Sequence, residues 1–118
     1  MNLVALEFGM GADIHGRDVN KAINRAISDA IRHCSLTFFY DFSYPDLMTV
    51  ELNIAVVDTE KVDLKQIIKS IPFGKVKVFL NKGGLNDDDL DGNNDITIAN
   101  VGLKVFLNTD NHPFKIID

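Results

Sequence analysis

The amino-acid sequence predicts a small α/β domain in which helices lie on one side of a β-sheet. Two amphipathic helical patterns alternate with four strand-like runs in the order β-α-β-α-β-β. The chain has 118 residues, of which 46% are hydrophobic, and this is the size of one domain. We therefore expect a single domain over residues 1–118, a two-layer α/β sandwich with two helices on one face of a four-stranded mixed sheet.

The first strand and the first helix flank a glycine-rich motif. Residues 3–8 form an apolar run that predicts a strand, and residues 9–16 read Gly-Met-Gly-Ala-Asp-Ile-His-Gly. Apolar residues then recur at helical spacing from Val19 to Cys34, and Asp18 precedes them with the side-chain oxygen of an N-cap. The motif of residues 9–16 is therefore predicted to be a loop between strand and helix.

Three further strands are predicted from alternating apolar and polar positions. They cover residues 48–57, 75–80 and 96–107. The apolar phase of the last strand changes around Asn100 and Gly102, which predicts a β-bulge. Asp63, followed three residues later by Gln66, predicts the start of a second helix. Residues 81–95 are predicted to be a long polar loop.

Composition and charge exclude several classes of function. The net charge is −5 and the twelve lysines and arginines are scattered, so we expect no nucleic-acid partner. No apolar run approaches the ~18–20 residues that cross a bilayer, and the N-terminus meets Glu7 too early for a secretion signal, so we expect no membrane partner. A single cysteine, Cys34, cannot form an internal disulfide, which favours a cytoplasmic protein.

Two helices can cover only one face of the predicted sheet, although apolar residues occur on both faces. Association with further copies of the chain would cover the second face, so a homo-oligomer is predicted. Half of the aromatic residues lie at residues 38–44. They either cap the core beyond the first helix or form a subunit interface or pocket wall.

The glycine-rich motif is the candidate ligand-binding site. Gly9, Gly11 and Gly16 allow a close approach of backbone N–H groups to a ligand, and Arg17 follows them. The start of the first helix adds unpaired N–H donors and a partial positive charge. We therefore predict a small anionic or heterocyclic ligand. The glycine spacing matches no nucleotide-binding fingerprint, so the cofactor is unknown.

Asp13 and His15 are the candidate catalytic residues. They are two positions apart, so in an extended loop both side chains would point to the same side. A carboxylate beside an imidazole can orient it and form an acid/base pair, as a hydrolase or isomerase would require. The same two residues could ligate a metal with further ligands from elsewhere. Alternatively, they only fix the loop by hydrogen bonds to its backbone.

An acidic stretch at residues 87–95 partly matches a calcium-binding loop. The first half of that pattern is reproduced by Asp87, Asp89, Asp91 and Gly92. Ile98 stands where the bidentate glutamate would be, and no helices flank the stretch. A solvated acidic turn is the favoured interpretation, and no metal site is predicted.

The eight-residue motif resembles the Gly-x-Gly-x-Asp-x-His-Gly signature of the Lin family of conserved hypothetical proteins. The resemblance extends over most of the chain and includes Gly83-Gly84-Leu85. It implies a site at the motif without implying a reaction. At the level of the fold, the strand, glycine loop and helix are also similar to trimeric chorismate-mutase-like proteins and ring-opening amidohydrolases, which implies sites between subunits.

The leading hypothesis is therefore a cytoplasmic homo-oligomer that binds a small molecule at the motif, near a subunit boundary. Whether it is an enzyme stays open. The alternatives are a non-catalytic structural or regulatory assembly module, in which the motif is a structural joint, and a metal-binding protein.

Overall fold

The computed structural model describes residues 2–33, 48–71 and 74–107. Its elements are β1 (Asn2–Asp13), α1 (Val19–His33), β2 (Met48–Val56), α2 (Leu64–Ser70), β3 (Lys75–Lys82), β4 (Leu85–Asp87) and β5 (Ile96–Leu107), with a 3-10 turn at Thr59–Lys61. This confirms the mixed α/β fold class. The predictions about Cys34 and about the aromatic residues 38–44 lie outside the described residues.

The sheet is mixed, with strand order β1-β5-β2-β3. β5 runs antiparallel to both β1 and β2, whereas β2 and β3 are parallel. The prediction of four strands was wrong, because β4 lies within the predicted polar loop and pairs with the start of β5. β4 has only three residues and no apolar alternation, and its central residue Asn86 accepts a 2.6 Å hydrogen bond from the Thr97 hydroxyl instead of packing in the core.

β1 is twice as long as predicted and contains most of the glycine-rich motif. Gly9 pairs with Val101, and Gly11 pairs with Ala99, without interruption as far as Asp13. The loop prediction was therefore wrong for residues 9–13. Glycine is a poor strand former by itself, and here it is held by pairing to β5 and by contact with the helix described below.

The predicted bulge in β5 was also wrong. Asn100 pairs with Met10 and Gly102 pairs with Phe8 in continuous register, and the shift lies instead in β1, between Leu3 and Ala5. A buried polar residue, Thr97, caused the error, because it occupies the core-facing side of the strand and interrupts the apolar pattern. The Thr97 hydroxyl donates a hydrogen bond to the Asn86 side chain, so it is buried with a hydrogen-bond partner.

Both helices belong to one hydrophobic core on one face of the sheet. In α1, residues Ala22, Ile23 and Ala26 are completely buried, as predicted from the helical spacing. The N-cap at Asp18 is confirmed, because its side chain accepts hydrogen bonds from the N–H groups of Asn20 and Lys21. The strand side of this core consists of alternate residues of β2 and β5, which are Met48, Val50, Leu52, Ile54, Val56, Ala99, Val101, Leu103, Val105 and Leu107.

The second helix is shorter and more exposed than the first. The predicted cap is confirmed by the hydrogen bond from the Gln66 N–H to the Asp63 side chain. Ile67 is buried, but Leu64 and Ile68 are 43% and 42% exposed, so only part of the predicted apolar stripe enters the core. None of the helices in the described ranges is long and apolar enough to span a membrane.

Candidate functional site

Two motif glycines lie directly beneath α1. A Cβ atom at Gly9 would lie on the Ala26 carbonyl oxygen, and one at Gly11 would lie on the Ala22 carbonyl oxygen. The helix contributes small residues at the same contact, so its backbone approaches β1 more closely than any larger side chain would permit. Gly9 and Gly11 are thus buried against the helix and do not face an open cavity.

Two side chains of α1 form hydrogen bonds with the backbone at the outer edge of β1. Among the described strands, β1 pairs only with β5, so the backbone groups of its other edge have no partner from these strands. Met10 donates its backbone N–H to the Asp29 carboxylate at 3.0 Å, and Arg25 donates from Nη1 to the Ala12 carbonyl at 2.6 Å. The helix therefore stabilises the edge strand through polar groups as well as through packing.

Asp13 joins the end of β1 to the start of α1. It is only 2% exposed, and its carboxylate accepts a 2.7 Å hydrogen bond from the Asp18 backbone N–H. Arg25 lies near the same carboxylate, with Nη1 at 3.7 Å from Oδ1. Asp13 therefore holds the N-cap residue of α1 in place. Burial penalises the charge of its carboxylate, and the Asp18 N–H and the Arg25 guanidinium offset this cost.

His15 is placed apart from Asp13. Its side chain is exposed and makes no hydrogen bond or ion pair with the described part of the chain, whereas Asp13 is buried. The strand ends at Asp13, so the alternation that would have put both side chains on one side does not continue to His15. The structure does not bring the two residues together as an acid/base pair.

The end of the motif is bound to the acidic stretch of residues 87–95, here called the acidic loop. Gly16 and Arg17 both have positive φ angles, 87° and 51°. Their backbone N–H groups donate to the side chain and the carbonyl of Asp95 at 3.2 and 3.0 Å. A positive φ is uncommon for arginine, and these hydrogen bonds stabilise it.

The Arg17 side chain reinforces this connection. Its guanidinium donates to the carbonyls of Ile96 and Asp87 at 3.1 and 2.8 Å, and it lies 3.8 Å from Asp88. The predicted ligand-binding cation is thus engaged by the acidic loop and fixes the base of that loop to the motif.

The acidic loop is organised by the Asp89 carboxylate. It accepts hydrogen bonds from the backbone N–H groups of Asn93 and Asp91, both at 2.9 Å, and from the Asn93 side chain at 3.1 Å. These hydrogen bonds, chiefly those from Asn93, lower the pKa of Asp89 below its ordinary value of 3.8. Within the described ranges, no three His, Cys, Asp or Glu side chains are arranged to hold a metal ion.

The sheet face opposite the helices, here called the open face, has no covering layer among the described residues. Along β1 it presents the apolar strip of Leu6, Phe8 and Met10, which are 45%, 68% and 61% exposed. Phe79 on β3 is 47% exposed on the same face. Large contiguous apolar surfaces are rare on monomeric proteins, so this face is a candidate interaction surface.

Apolar residues were expected on the second face of the sheet, but the residues of the apolar strip were not identified from the sequence. Phe8 was assigned only to a strand, because the motif was interpreted as a loop and the strand's alternation stopped there. Once β1 is extended to Asp13, the period of two places Leu6, Phe8 and Met10 together. The edge residues Arg25 and Asp29 were also missed, although their spacing of four on α1 puts them on one side of the helix.

Comparisons with known proteins agree with the fold. The model of a family described as Conserved hypothetical protein (Lin0512_fam) matches residues 3–105. A crystal structure of an FtsZ-like protein of unknown function from Nostoc punctiforme PCC 73102 superposes with a TM-score of 0.73 at 26% identity, over 91% of this chain and 97% of that one. No curated protein matches the chain significantly.

Proposed function

This chain belongs to the Lin0512 family of conserved hypothetical proteins, and on that premise we propose that it is a self-associating module that forms a homo-oligomer through the open face of its sheet. The observation that carries the proposal is the apolar strip, in which Phe8 is 68% exposed. Burial of a phenylalanine side chain contributes about 1.5–3 kcal/mol relative to leaving it in water. If the protein is cytoplasmic, a second copy of the chain would supply the surface that buries Phe8.

The glycine-rich motif supports this function as a structural joint. Gly9 and Gly11 let α1 lie on β1, Asp13 holds the cap of α1, and Arg17 holds the acidic loop. Through these contacts the motif keeps β1 extended, and β1 carries the apolar strip. This favours the non-catalytic assembly module among the functions expected from the sequence.

The test is the molar mass of the wild type and of Phe8→Glu by light scattering after size exclusion. We expect a wild-type oligomer and a monomeric Phe8→Glu, because the glutamate carboxylate would have to be desolvated in the interface. Ile68→Glu is the matched control, since Ile68 is 42% exposed on the helix side of the sheet. A wild type that stays monomeric at its highest soluble concentration would contradict the proposal.

A second candidate function, small-molecule binding, is favoured by His15. It is the only exposed titratable side chain of residues 9–16, and it has no partner within the described part of the chain. It lies after the end of β1, so a ligand there would be near the proposed subunit boundary. In this function His15 is the acid/base or polar anchor, and Asp13 and Arg17 hold the chain on either side of it through the hydrogen bonds described above.

Native mass spectrometry of gently purified protein tests this second candidate. We expect a mass increment from a retained small molecule in the wild type and its loss in His15→Ala. His15 is exposed, so the substitution leaves the fold intact, and far-UV circular dichroism checks this. An increment that persists in His15→Ala would place the ligand elsewhere, and a bare wild-type protein would favour the structural joint alone.

A further inference from the structure

The tip of the acidic loop exposes a leucine completely. Leu90 has a relative exposure of 106%, which is the highest among the large hydrophobic residues described, and its neighbours in sequence are Asp89 and Asp91. The free energy gained by moving an aliphatic side chain from water into an apolar pocket is largest when the side chain is fully exposed beforehand. Leu90 is therefore a candidate anchor for a protein–protein contact.

The loop holds this leucine in a defined conformation. Asp89 accepts hydrogen bonds from the N–H groups on the far side of the tip, and its own carbonyl accepts one from the Gly92 N–H at 3.0 Å. The base of the loop is fixed by Arg17, as described above. A preorganised loop loses little conformational entropy when it binds, so more of the contact energy of Leu90 remains available.

The open face contains a depression that fits such a side chain. It has a volume of about 230 Å³ and is lined mainly by apolar surface; its lining includes Phe8, Asn53, Ala55 and Gly102. Gly102 leaves space for the depression because it has no side chain. A Cβ atom at this position would occupy part of that space, 3.5 Å from the Phe8 ring. Pockets for drug-sized ligands have roughly 300–1,000 Å³, so this smaller depression favours a single side chain.

The charges of the two surfaces are complementary. The strand pairings place Lys75, Lys77 and Lys104 together at one end of the open face with Glu51, whereas Asp87 of β4 lies at the other end of this face. The end that carries the three lysines is therefore cationic, although the chain has a net charge of −5. Leu90 is flanked by aspartates, so the acidic loop and the open face attract each other and are steered into contact.

We propose that Leu90 of one copy inserts into the depression beside Phe8 of a second copy, with the acidic loop lying against the lysines of the open face. This proposal rests on the self-association proposed above and specifies its geometry. The contact joins two different surfaces of the same chain. Two copies can make it reciprocally in a twofold dimer, and further copies can repeat it head to tail in a closed ring or an open filament.

The geometry is tested with two variants that each remove one side of the contact. Leu90→Ser removes the anchor, and Phe8→Glu blocks the depression. Each alone should weaken association by about thirtyfold or more, the effect of a hot-spot side chain. An equimolar mixture of the two should form a heterodimer, because the intact loop of Phe8→Glu meets the intact depression of Leu90→Ser. Sedimentation velocity measures all three samples, and Leu64→Ser, which changes an exposed leucine of α2 on the helix side of the sheet, is the matched control.

The outcomes separate this proposal from the one it rests on. A Leu90→Ser variant that stays as oligomeric as the wild type, while Phe8→Glu dissociates, overturns the loop contact and leaves self-association through the open face. A mixture that remains monomeric, when each variant alone is folded and monomeric, also overturns the loop contact. A monomeric wild type overturns both proposals.

Discussion

Arg25 of α1 donates a 2.6 Å hydrogen bond to the backbone carbonyl of Ala12, on the edge of β1 that faces away from β5 and pairs with none of the described strands. The same Nη1 atom lies 3.7 Å from the buried Asp13 carboxylate. One guanidinium therefore serves both the edge strand and the residue that holds the cap of α1. This arrangement makes the helix and the motif a single structural unit.

The first prediction concerns Arg25. Arg25→Ala should lower the free energy of unfolding by roughly 1–2 kcal/mol, because it leaves the Ala12 carbonyl and the Asp13 carboxylate without this donor. Arg32→Ala is the control, since the Arg32 side chain is 72% exposed and lies in a 3.8 Å ion pair with Asp29. Urea denaturation followed by circular dichroism measures both. Equal losses of unfolding free energy in the two variants would mean that the contacts of Arg25 with Ala12 and Asp13 stabilise the protein no more than an exposed ion pair does.

The second prediction concerns the close approach of α1 to β1. Gly11→Ala should lower the free energy of unfolding by about 3 kcal/mol, because the new Cβ meets helix backbone that cannot move aside alone. Gly102→Ala is the control, as its Cβ would lie at ordinary contact distances, 3.5 Å from the Phe8 ring and 4.0 Å from the Asn53 Cβ. Chemical denaturation of both variants at one protein concentration is the measurement. Stability of Gly11→Ala within about 0.5 kcal/mol of the wild type would contradict the described packing.

The order of the long elements was predictable from the sequence, whereas the structure of the motif was not. The helix from Val19 has an uninterrupted apolar stripe, and Asp18 marks its start, so both could be predicted. Gly9 and Gly11 were interpreted as loop residues because glycine disfavours strands. Their need for close contact with α1 is a tertiary effect that appears only when the helix lies on the strand.

The candidate site changed for the same reason. Asp13 and His15 are two residues apart, and their pairing depended on an extended chain through both. The strand ends between them, so Asp13 enters the core and His15 remains in solvent. β4 was missed because it has only three residues, of which Asn86 and Asp87 are polar, so it carries no recognisable apolar pattern.

The third prediction separates the two motif residues. Asp13→Ala should lower the free energy of unfolding by about 1–3 kcal/mol, because it leaves the Asp18 N–H without its acceptor and the Arg25 guanidinium without its nearest carboxylate. His15→Ala should stay within about 0.5 kcal/mol of the wild type, as is usual for exposed residues. Thermal and urea unfolding of both variants provide the comparison. A His15→Ala variant as unstable as Asp13→Ala would show that His15 is also part of the joint.

The fourth prediction concerns the pH dependence of the acidic loop. Hydrogen bonds, chiefly from Asn93, lower the pKa of Asp89 in the folded protein below 3.8, its ordinary value. A carboxyl whose folded pKa is lowered stabilises the folded loop above its unfolded pKa, and this stabilisation is lost as the pH falls through the folded pKa. The amide resonances of Asp91 and Asn93 should therefore follow the Asp89 carboxyl with a midpoint below 3.8. NMR titration measures this midpoint, and Asp89→Asn, which does not titrate, should abolish the transition. A midpoint above 3.8 in the wild type would contradict the hydrogen-bonded loop, and with it the preorganised tip that presents Leu90.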